Sequence, residues 1–308
     1  MRRPVQTVLL AAATLGSLCL TTATPAQALS IAPAPHRIHA MKTLDAVKDA
    51  VLPTENRLPL IGGAPVGLPL QYGGGAVQTT NTTFAVFWEP SGHASNATYK
   101  PLVTQFLSEI GGTPLFNTTT EYYQGSGASQ QAITNTSHFG GQWVDSTPFP
   151  AGGVTEADLQ GAVKRAQAAN GWPTGTNNLY LVYTGPGGET VSSYCAYHST
   201  VAINGVTTPW ANEPYGGQSG CETPSSPNGN PAADSIINTS SHELWEAITD
   251  PNLGDGWVAL TGDEGSDECN FMFGSTDAGG ADIRINGHGY IVQQEWRNST
   301  APFGCVMS

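Results

Sequence analysis

Short runs of β-branched and aromatic residues alternate with helical segments in this chain, and this alternation constrains the fold more than any other feature. TTFAVFWEP (82–90) and NLYLVYTGP (178–186) are typical of strands, and the second is apolar enough to be buried. Residues 199–205 and GYIVQQEW (289–296) predict two further strands. Such mixing predicts an α/β or α+β fold, a single mixed domain over residues 68–308 with a central sheet.

Three segments predict helices. ATYKPLVTQFLSEIGG (97–112) has apolar residues at helical spacing and a Gly-Gly stop, and residues 155–171 begin with a Thr155/Asp158 capping box. The third helix carries the motif SHELWEAITDP and begins near Asn230, which can cap it, and Pro231, which suits a first turn. We expect it to bury an apolar stripe of Ile237, Leu244 and Ile248 while His242 and Glu246 face a cleft.

The N-terminus predicts export. Two arginines precede the apolar run VLLAAATLGSLCL (8–20), and Ala26-Gln27-Ala28 follows, which is the layout of a secretory signal peptide over residues 1–28. The apolar run is shorter than the roughly 20 residues of a membrane-spanning helix. The sequence therefore predicts an extracellular protein without membrane insertion.

Residues 29–67 predict either a pro-segment or a flexible N-terminal linker. Apolar residues at helical spacing between Ile38 and Val51 indicate a short amphipathic helix, and the Pro- and Gly-rich stretch that follows indicates a linker.

Four cysteines remain once Cys19 is removed with the signal peptide, and an even number in an oxidising compartment favours disulfides. Three pairings can be drawn. We favour Cys195–Cys221 with Cys269–Cys305, because each bond would close one local, loop-rich segment.

The charge balance excludes nucleic acid as a partner. The chain has 11 basic and 24 acidic residues, and loss of Arg2 and Arg3 leaves a net charge of about −15. Such a surface suits extracellular solubility or divalent cations. The oligomeric state is not indicated by the sequence.

The third predicted helix holds the candidate chemistry. His-Glu-x-x-His on a helix is a zinc-peptidase signature, and here Glu246 takes the place of the second histidine. Residues four apart share a helix face, so His242 and Glu246 can bind one cation. Glu243 then occupies the position of a general base, which makes the helix zincin-like. The alternative is an acidic helix face exposed to solvent.

The acidic loop after this helix supplies further candidate ligands. Asp263, Glu264, Asp267 and Glu268 lie among glycines, and Glu264 and Asp267 are the predicted metal ligands beside His242 and Glu246. Zinc is the expected cofactor. Calcium is the alternative, because a cluster of carboxylates can hold a hard cation with oxygens alone.

Several segments together resemble one known family. LQYGGGAVQTTNTTFAVFWEP (70–90), NLYLVYTGP with SYCAYHS (193–199), and SHELWEAITDPNLGDGWVALTGDEGSDEC (241–269) occur in order, followed by GYIVQQEW and a last cysteine. This series resembles the EXORDIUM family, also called phosphate-induced proteins, which are secreted proteins of plant cell walls with bacterial relatives. The resemblance covers roughly residues 68–305. It places Cys195, His198, His242, Glu246, Asp250, Glu264, Asp267 and Cys269 on family motifs.

The sequence departs from the family pattern at three positions. Ala196 stands where glycine is usual, Gly265 replaces an aliphatic residue, and Cys221 stands alone before the motif helix. The resemblance implies an extracellular or wall location, but it supplies no reaction.

Two functions follow as expectations. The first is a metal-dependent, peptidase-like hydrolase of a peptide or cell-wall substrate, with Glu243 and His198 as catalytic residues. The second is a non-catalytic extracellular protein in which the same residues hold a structural ion. Asp250, next to Pro251, is expected to cap the turn after the helix.

Overall fold

The computed structural model describes residues 40–43, 68–188, 194–299 and 304–308. The predicted signal peptide and most of the predicted segment 29–67 lie outside the described residues. The strands of the described part are, in chain order, β1 (Ala40–Lys42), β2 (Gln71–Tyr72), β3 (Asn81–Trp88), β4 (Tyr123–Gln124), β5 (Gln131–Ala132), β6 (Ser137–Asp145), β7 (Asn178–Thr184), β8 (Tyr194–Ile203), β9 (Val206–Glu213), β10 (Trp257–Val258), β11 (Ile283–Ile285), β12 (His288–Tyr290), β13 (Glu295–Arg297) and β14 (Gly304–Val306).

Its α-helices are α1 (Tyr99–Glu109), α2 (Glu156–Asn170), α3 (Pro231–Thr249) and α4 (Gly265–Glu268), and Phe116–Glu121 and Gly127–Ser129 are 3₁₀-helices.

A six-stranded mixed sheet forms the centre of the fold, in the order β1-β8-β9-β7-β3-β6. Strands β6, β3, β7 and β9 run parallel, and β8 is antiparallel to both β9 and β1. Parallel neighbours need crossover connections, and α1 and α2 lie in the connections from β3 to β6 and from β6 to β7. The prediction of a single mixed domain with a central sheet is confirmed.

Strand β3 shows how the sheet divides two cores. Phe84, Val86 and Trp88 pack with α2, whereas Ala85 and Phe87 pack with α1 and α3 on the opposite face. Successive side chains of a strand point to opposite faces of the sheet. A strand that is covered on both faces therefore needs a continuous run of apolar residues. The result is three layers, with α3 in the layer opposite α2.

A tight hairpin sets the register of the strand that reaches the motif helix. Asn204 and Gly205 connect β8 to β9 with backbone φ of 51° and 81°, the conformation that a two-residue hairpin turn requires and that Asn-Gly adopts readily. The register pairs Ile203 with Val206 and His198 with Ala211. His198 therefore lies on the same face of the sheet as Ala211, which packs in the core around α3.

The three helices predicted within residues 68–308 are confirmed, and two other predictions differ from the structure. The predicted closing strand 289–296 is divided between β12 and β13, because residues 291–294 leave the β11–β12 ladder before β13 pairs with β14. The helix predicted around Met41 is wrong for residues 40–42, which form the edge strand β1 against β8. Met41 is fully buried there, so tertiary pairing overrides the local helical spacing.

Both predicted disulfides are confirmed. Cys195 in β8 is bonded to Cys221, and Cys269 after α4 is bonded to Cys305 in β14, each with Cα atoms 5.5 Å apart. Disulfides of this kind fit an extracellular protein. Within the described ranges, no helix has the length and apolar character needed to cross a membrane.

Candidate metal centre

Helix α3 begins and ends where its sequence predicts. The Asn230 side chain accepts a hydrogen bond from the backbone N–H of Ala233 at 3.2 Å, and Pro231 occupies the first turn, where its missing N–H has no intrahelical partner to lose. Pro251 follows the last turn and cannot continue the helix.

The environment of α3 is unlike that of a surface helix. Every residue from Ala232 to Thr249 is buried, including ten polar or charged ones. The helix packs against the central sheet on one side and against α4 on another. The alternative of an acidic helix face exposed to solvent is therefore wrong.

His242 and Glu246 lie one helical turn apart and face each other, as the motif predicts. His242 Nε2 is 3.1 Å from Glu246 Oε1, and both side chains are fully buried. The second oxygen of the same carboxylate, Glu246 Oε2, points toward the sheet and lies 3.7 Å from His198 Nδ1.

His198 reaches the centre from β8. Its Nδ1 lies 3.4 Å from Glu243 Oε2, and its Nε2 lies 3.6 Å from Glu264 Oε1 and 3.2 Å from the backbone oxygen of Asp250. The imidazole is fully buried. His198 thus joins the sheet to both the motif helix and the acidic loop.

Asp267 completes the other side of the centre from α4. Its Oδ1 lies 3.8 Å from His242 Nε2, and its backbone N–H donates to Glu246 Oε1 at 3.1 Å. Ser266, one residue earlier, donates its hydroxyl to the backbone oxygen of His242 and to Glu295 Oε2. These bonds hold α4 against the motif turn of α3.

Gly265 permits this close approach of α4 to α3. A Cβ atom at Gly265 would lie 2.3 Å from the ring of Trp245, closer than real Cβ contacts allow, and 3.2 Å from Leu70, which is tighter than most. Glycine at position 265 therefore has a steric reason in this chain.

The remaining acidic residues have other surroundings. The Asp250 carboxylate accepts hydrogen bonds from the backbone N–H groups of Gly254 and Gly256, as expected of a residue that caps the turn. Asp263 and Glu268 are half-buried and belong to neither ligand group of the described residues.

Two groups of side chains can each hold a metal ion, and they share one residue. One consists of His198, Glu243 and Glu246, and the other of His242, Glu246 and Asp267. Within each group, one ligand atom from every member lies within 4.8 Å of the others. Imidazole nitrogens and carboxylate oxygens are ligands for divalent metals. Of these five side chains, only that of Asp267 is exposed to solvent, and its exposed fraction is 8%.

The carboxylates around His242 and His198 raise the pKa values of these two histidines. Burial disfavours the charged imidazole, but Glu246, followed by Glu243 and Asp267, outweighs this effect and raises the pKa of His242 to about 10. For His198, burial is likewise outweighed by Glu264, Glu243 and Glu246, which raise its pKa well above the usual value. The surrounding carboxylates therefore favour the protonated form of both imidazoles in the metal-free protein.

The pKa values of the carboxylic acids in the centre shift in both directions. Burial alone would raise the pKa of Glu246, but the adjacent His242 and His198 lower it below its usual value. Burial, reinforced by neighbouring acidic groups, raises the pKa values of Glu264 and Asp267 well above normal. Burial and the neighbouring negative charges thus favour the protonated form of these two carboxyl groups in the metal-free protein.

The structure also differs from the expected exposure of the site. We expected His242 and Glu246 to face a cleft, but the described residues enclose both side chains completely. Two further buried acids next to the centre were not predicted: Glu213 in β9, which accepts from the Thr239 hydroxyl at 2.8 Å, and Glu295 in β13. Neither strand sequence, VTTPWANE for β9 or EWR for β13, marks its glutamate as buried.

No protein-family model, no curated protein and no solved structure matches this chain. The resemblance to the EXORDIUM family, and the roles of the residues it places, therefore stay predictions.

Proposed function

We propose that this protein is an extracellular metal-binding protein whose buried centre holds a divalent cation that fastens α3 to α4 and to the central sheet. The observation that carries the proposal is the convergence of His242, Glu246 and Asp267, from two separate elements, on one position inside the protein. Their ligand atoms lie at distances typical of neighbouring ligands around a shared metal ion.

The burial of these groups supports a stabilising role. Isolated charges are costly to bury, and buried polar atoms without partners cost free energy. His242 Nδ1, both oxygens of Glu243 and Glu246 Oε2 are buried and have no hydrogen-bond partner among the described residues. A bound cation would satisfy such atoms, and structural metal sites are characteristically closed to solvent.

The ligand types favour zinc over calcium. Calcium takes six to eight oxygen ligands, whereas each group here includes an imidazole nitrogen. Zinc accepts nitrogen and carboxylate oxygen together in four-coordinate sites. Manganese, which also accepts this mixture, is the next choice.

The extracellular location rests on two features. The N-terminal sequence has the layout of a signal peptide, and the two disulfides would be rare in the reducing cytosol.

A peptidase-like hydrolase acting on a peptide or cell-wall component is the second candidate. It is favoured by Glu243, which directly follows His242 in the motif and has both carboxylate oxygens buried in the centre without a hydrogen-bond partner among the described residues. In that function Glu243 would accept a proton from a metal-activated water, and His198, 3.4 Å away, would assist. The enclosure of the centre ranks this candidate below the first.

Metal analysis tests the first proposal. The protein is expressed through its own signal peptide, purified without chelators or metal-affinity resin, and analysed by inductively coupled plasma mass spectrometry. We expect at least one zinc per chain, with removal by chelation and rebinding in calorimetric titrations that calcium does not reproduce. Metal at background level, together with no rebinding of zinc or manganese, would overturn it.

The Glu243→Gln variant tests the hydrolase. If Glu243 is the general base, the variant keeps its full metal content and loses about 10²–10⁴-fold in the rate of cleavage of a peptide-library substrate. A metal-loaded parent that cleaves no peptide and no cell-wall material would remove the hydrolase and leave the stabilising centre.

A further inference from the structure

Glu246 presents its two carboxylate oxygens to different neighbours. Glu246 Oε1 lies 3.1 Å from His242 Nε2 and accepts from the backbone N–H of Asp267. Glu246 Oε2 lies on the other side, 3.7 Å from His198 Nδ1, with no hydrogen-bond partner among the described residues. A carboxylate in this orientation can give one oxygen to each of two ions.

Most of the distances around the centre exceed those of direct hydrogen bonds. The separations of 3.4 Å (His198 Nδ1 to Glu243 Oε2), 3.7 Å (His198 Nδ1 to Glu246 Oε2) and 3.8 Å (His242 Nε2 to Asp267 Oδ1) lie beyond the usual 2.7–3.2 Å. Two atoms each about 2.1 Å from a tetrahedral zinc ion are about 3.4 Å apart. The spacing therefore suits ligands of shared cations on both sides of Glu246.

The second side has its own buried ligands. Glu243 is fully buried, and both of its oxygens lack a hydrogen-bond partner within the described part of the chain, as does His198 Nδ1. These atoms lie in the interior, where such polar atoms normally have partners. They form a ligand set separate from His242 and Asp267.

The charges at the centre favour two ions over one. Glu243, Glu246 and Asp267, the carboxylates of the two ligand groups, carry three negative charges when ionised, and both histidines bind metal as neutral imidazoles. Glu264, Glu213 and Glu295 are further buried acids next to them. One divalent cation would leave a surplus of negative charge in the interior, and a second would reduce this costly buried charge.

We infer that the centre is binuclear and that Glu246 bridges its two divalent cations. His242, Glu246 Oε1 and Asp267 hold the first cation, and His198, Glu243 and Glu246 Oε2 hold the second. This inference rests on the proposed function of a metal centre and extends it. Two-metal sites place their ions about 3.5–4 Å apart, a span that a bridging carboxylate covers.

This arrangement gives Glu243 and His198 a different role from the catalytic one predicted from the sequence. Both become ligands of the second cation. The Glu243→Gln variant then loses metal, whereas a general base replaced by glutamine would leave the metal content unchanged.

The stoichiometry of the zinc-loaded, full-length secreted protein tests the inference. We expect native mass spectrometry to find two zinc ions per chain in the parent protein. His242→Ala and His198→Ala should each retain one ion, and Glu246→Gln should retain one or none. Glu213→Gln is the matched control, because Glu213 is an equally buried acid next to the centre but belongs to neither ligand group; it should retain two.

The outcomes separate this inference from the proposed function. One ion per chain in the parent overturns the binuclear centre and leaves the proposed function standing, whereas no ion overturns both. Two ions that persist in His198→Ala would place the second cation elsewhere and also overturn the inference.

A second measurement needs no variant, in case the histidine variants do not fold. The parent protein is loaded with manganese and studied by electron paramagnetic resonance. Two ions bridged by Glu246 should give the broad spectrum of an exchange-coupled pair. The six-line spectrum of isolated manganese at full loading would overturn the inference.

Discussion

Helices α2 and α3 cover opposite faces of the same sheet, yet they differ in which side chains they bury. Helix α2 buries Leu159, Ala162, Val163 and Ala166 and exposes much of its polar remainder. Helix α3 buries nearly everything, its histidine and glutamates included. Hydrophobic burial of the apolar stripe is enough to explain how α2 packs against the sheet. Helix α3 requires something that compensates for buried charge, which the proposed metal centre would do.

Removal of the metal should have the largest effect and should act on the α3 side. At a free metal concentration a thousandfold above Kd, binding stabilises the folded state by about 4 kcal/mol. For a domain of this size, this corresponds to a loss of about 8–16 °C in Tm on chelation. Differential scanning calorimetry with and without a chelator measures it, and an unchanged Tm would contradict a stabilising cation.

The Leu159→Ala substitution should weaken the α2 side independently of metal. Leu159 is 1% exposed and packs against the sheet, and its truncation should cost about 3 kcal/mol through lost burial and a cavity. Because this side chain and the centre lie on opposite faces of the sheet, the loss should be equal in metal-loaded and metal-free protein. Urea unfolding in both states checks this, and unequal losses would show that the two faces are coupled.

The Gly265→Ala substitution should have a smaller effect that does depend on metal. The added Cβ would press on the ring of Trp245 and push α4, with Asp267, away from His242. We expect a loss of about 2 kcal/mol from overpacking and weaker zinc binding in calorimetric titration. Gly152→Ala is the control, since a Cβ there meets nothing within 4 Å. Equal zinc affinity in both variants would contradict a positioning role for Gly265.

Alkaline pH should destabilise the metal-free protein only. The pKa of His242 is raised to about 10, so its proton stabilises the folded state fully below the unfolded value of about 6.5 and ceases to do so as the pH rises through about 10. The raised pKa values of Glu264 and Asp267 act in the same direction. Urea midpoints of chelated protein should fall between pH 6.5 and 9.5, and a flat profile would contradict this.

The contrast between the helices also explains how far the sequence could lead. Helix α2 was predictable because its capping box and apolar spacing are local signals, and the Thr155–Asp158 box is present. The turn between His242 and Glu246 was predictable for the same reason. The burial of α3 was not, because helical periodicity assigns polar residues to the solvent and gives no sign that β8 and α4 cover them.

Contacts between residues that are distant in sequence could not be predicted either. The approach of His198 to Glu243 depends on how β8 packs against α3, which the local Asn-Gly hairpin signal does not specify. The pairing of residues 40–42 with β8 likewise overrode a helical pattern around Met41. The disulfides were predictable because few pairings were available, and the chosen one closes two local segments.

Anomalous X-ray diffraction from crystals of the metal-loaded protein tests most directly whether cations hold the α3 side together. Data collected above and below the zinc absorption edge locate zinc without reference to any substitution. We expect two anomalous peaks, one next to each oxygen of Glu246, the first also near His242 and Asp267 and the second near His198 and Glu243. Fully loaded crystals with no anomalous peak within about 2.5 Å of these ligand atoms, a generous zinc–ligand distance, would contradict a metal centre on α3.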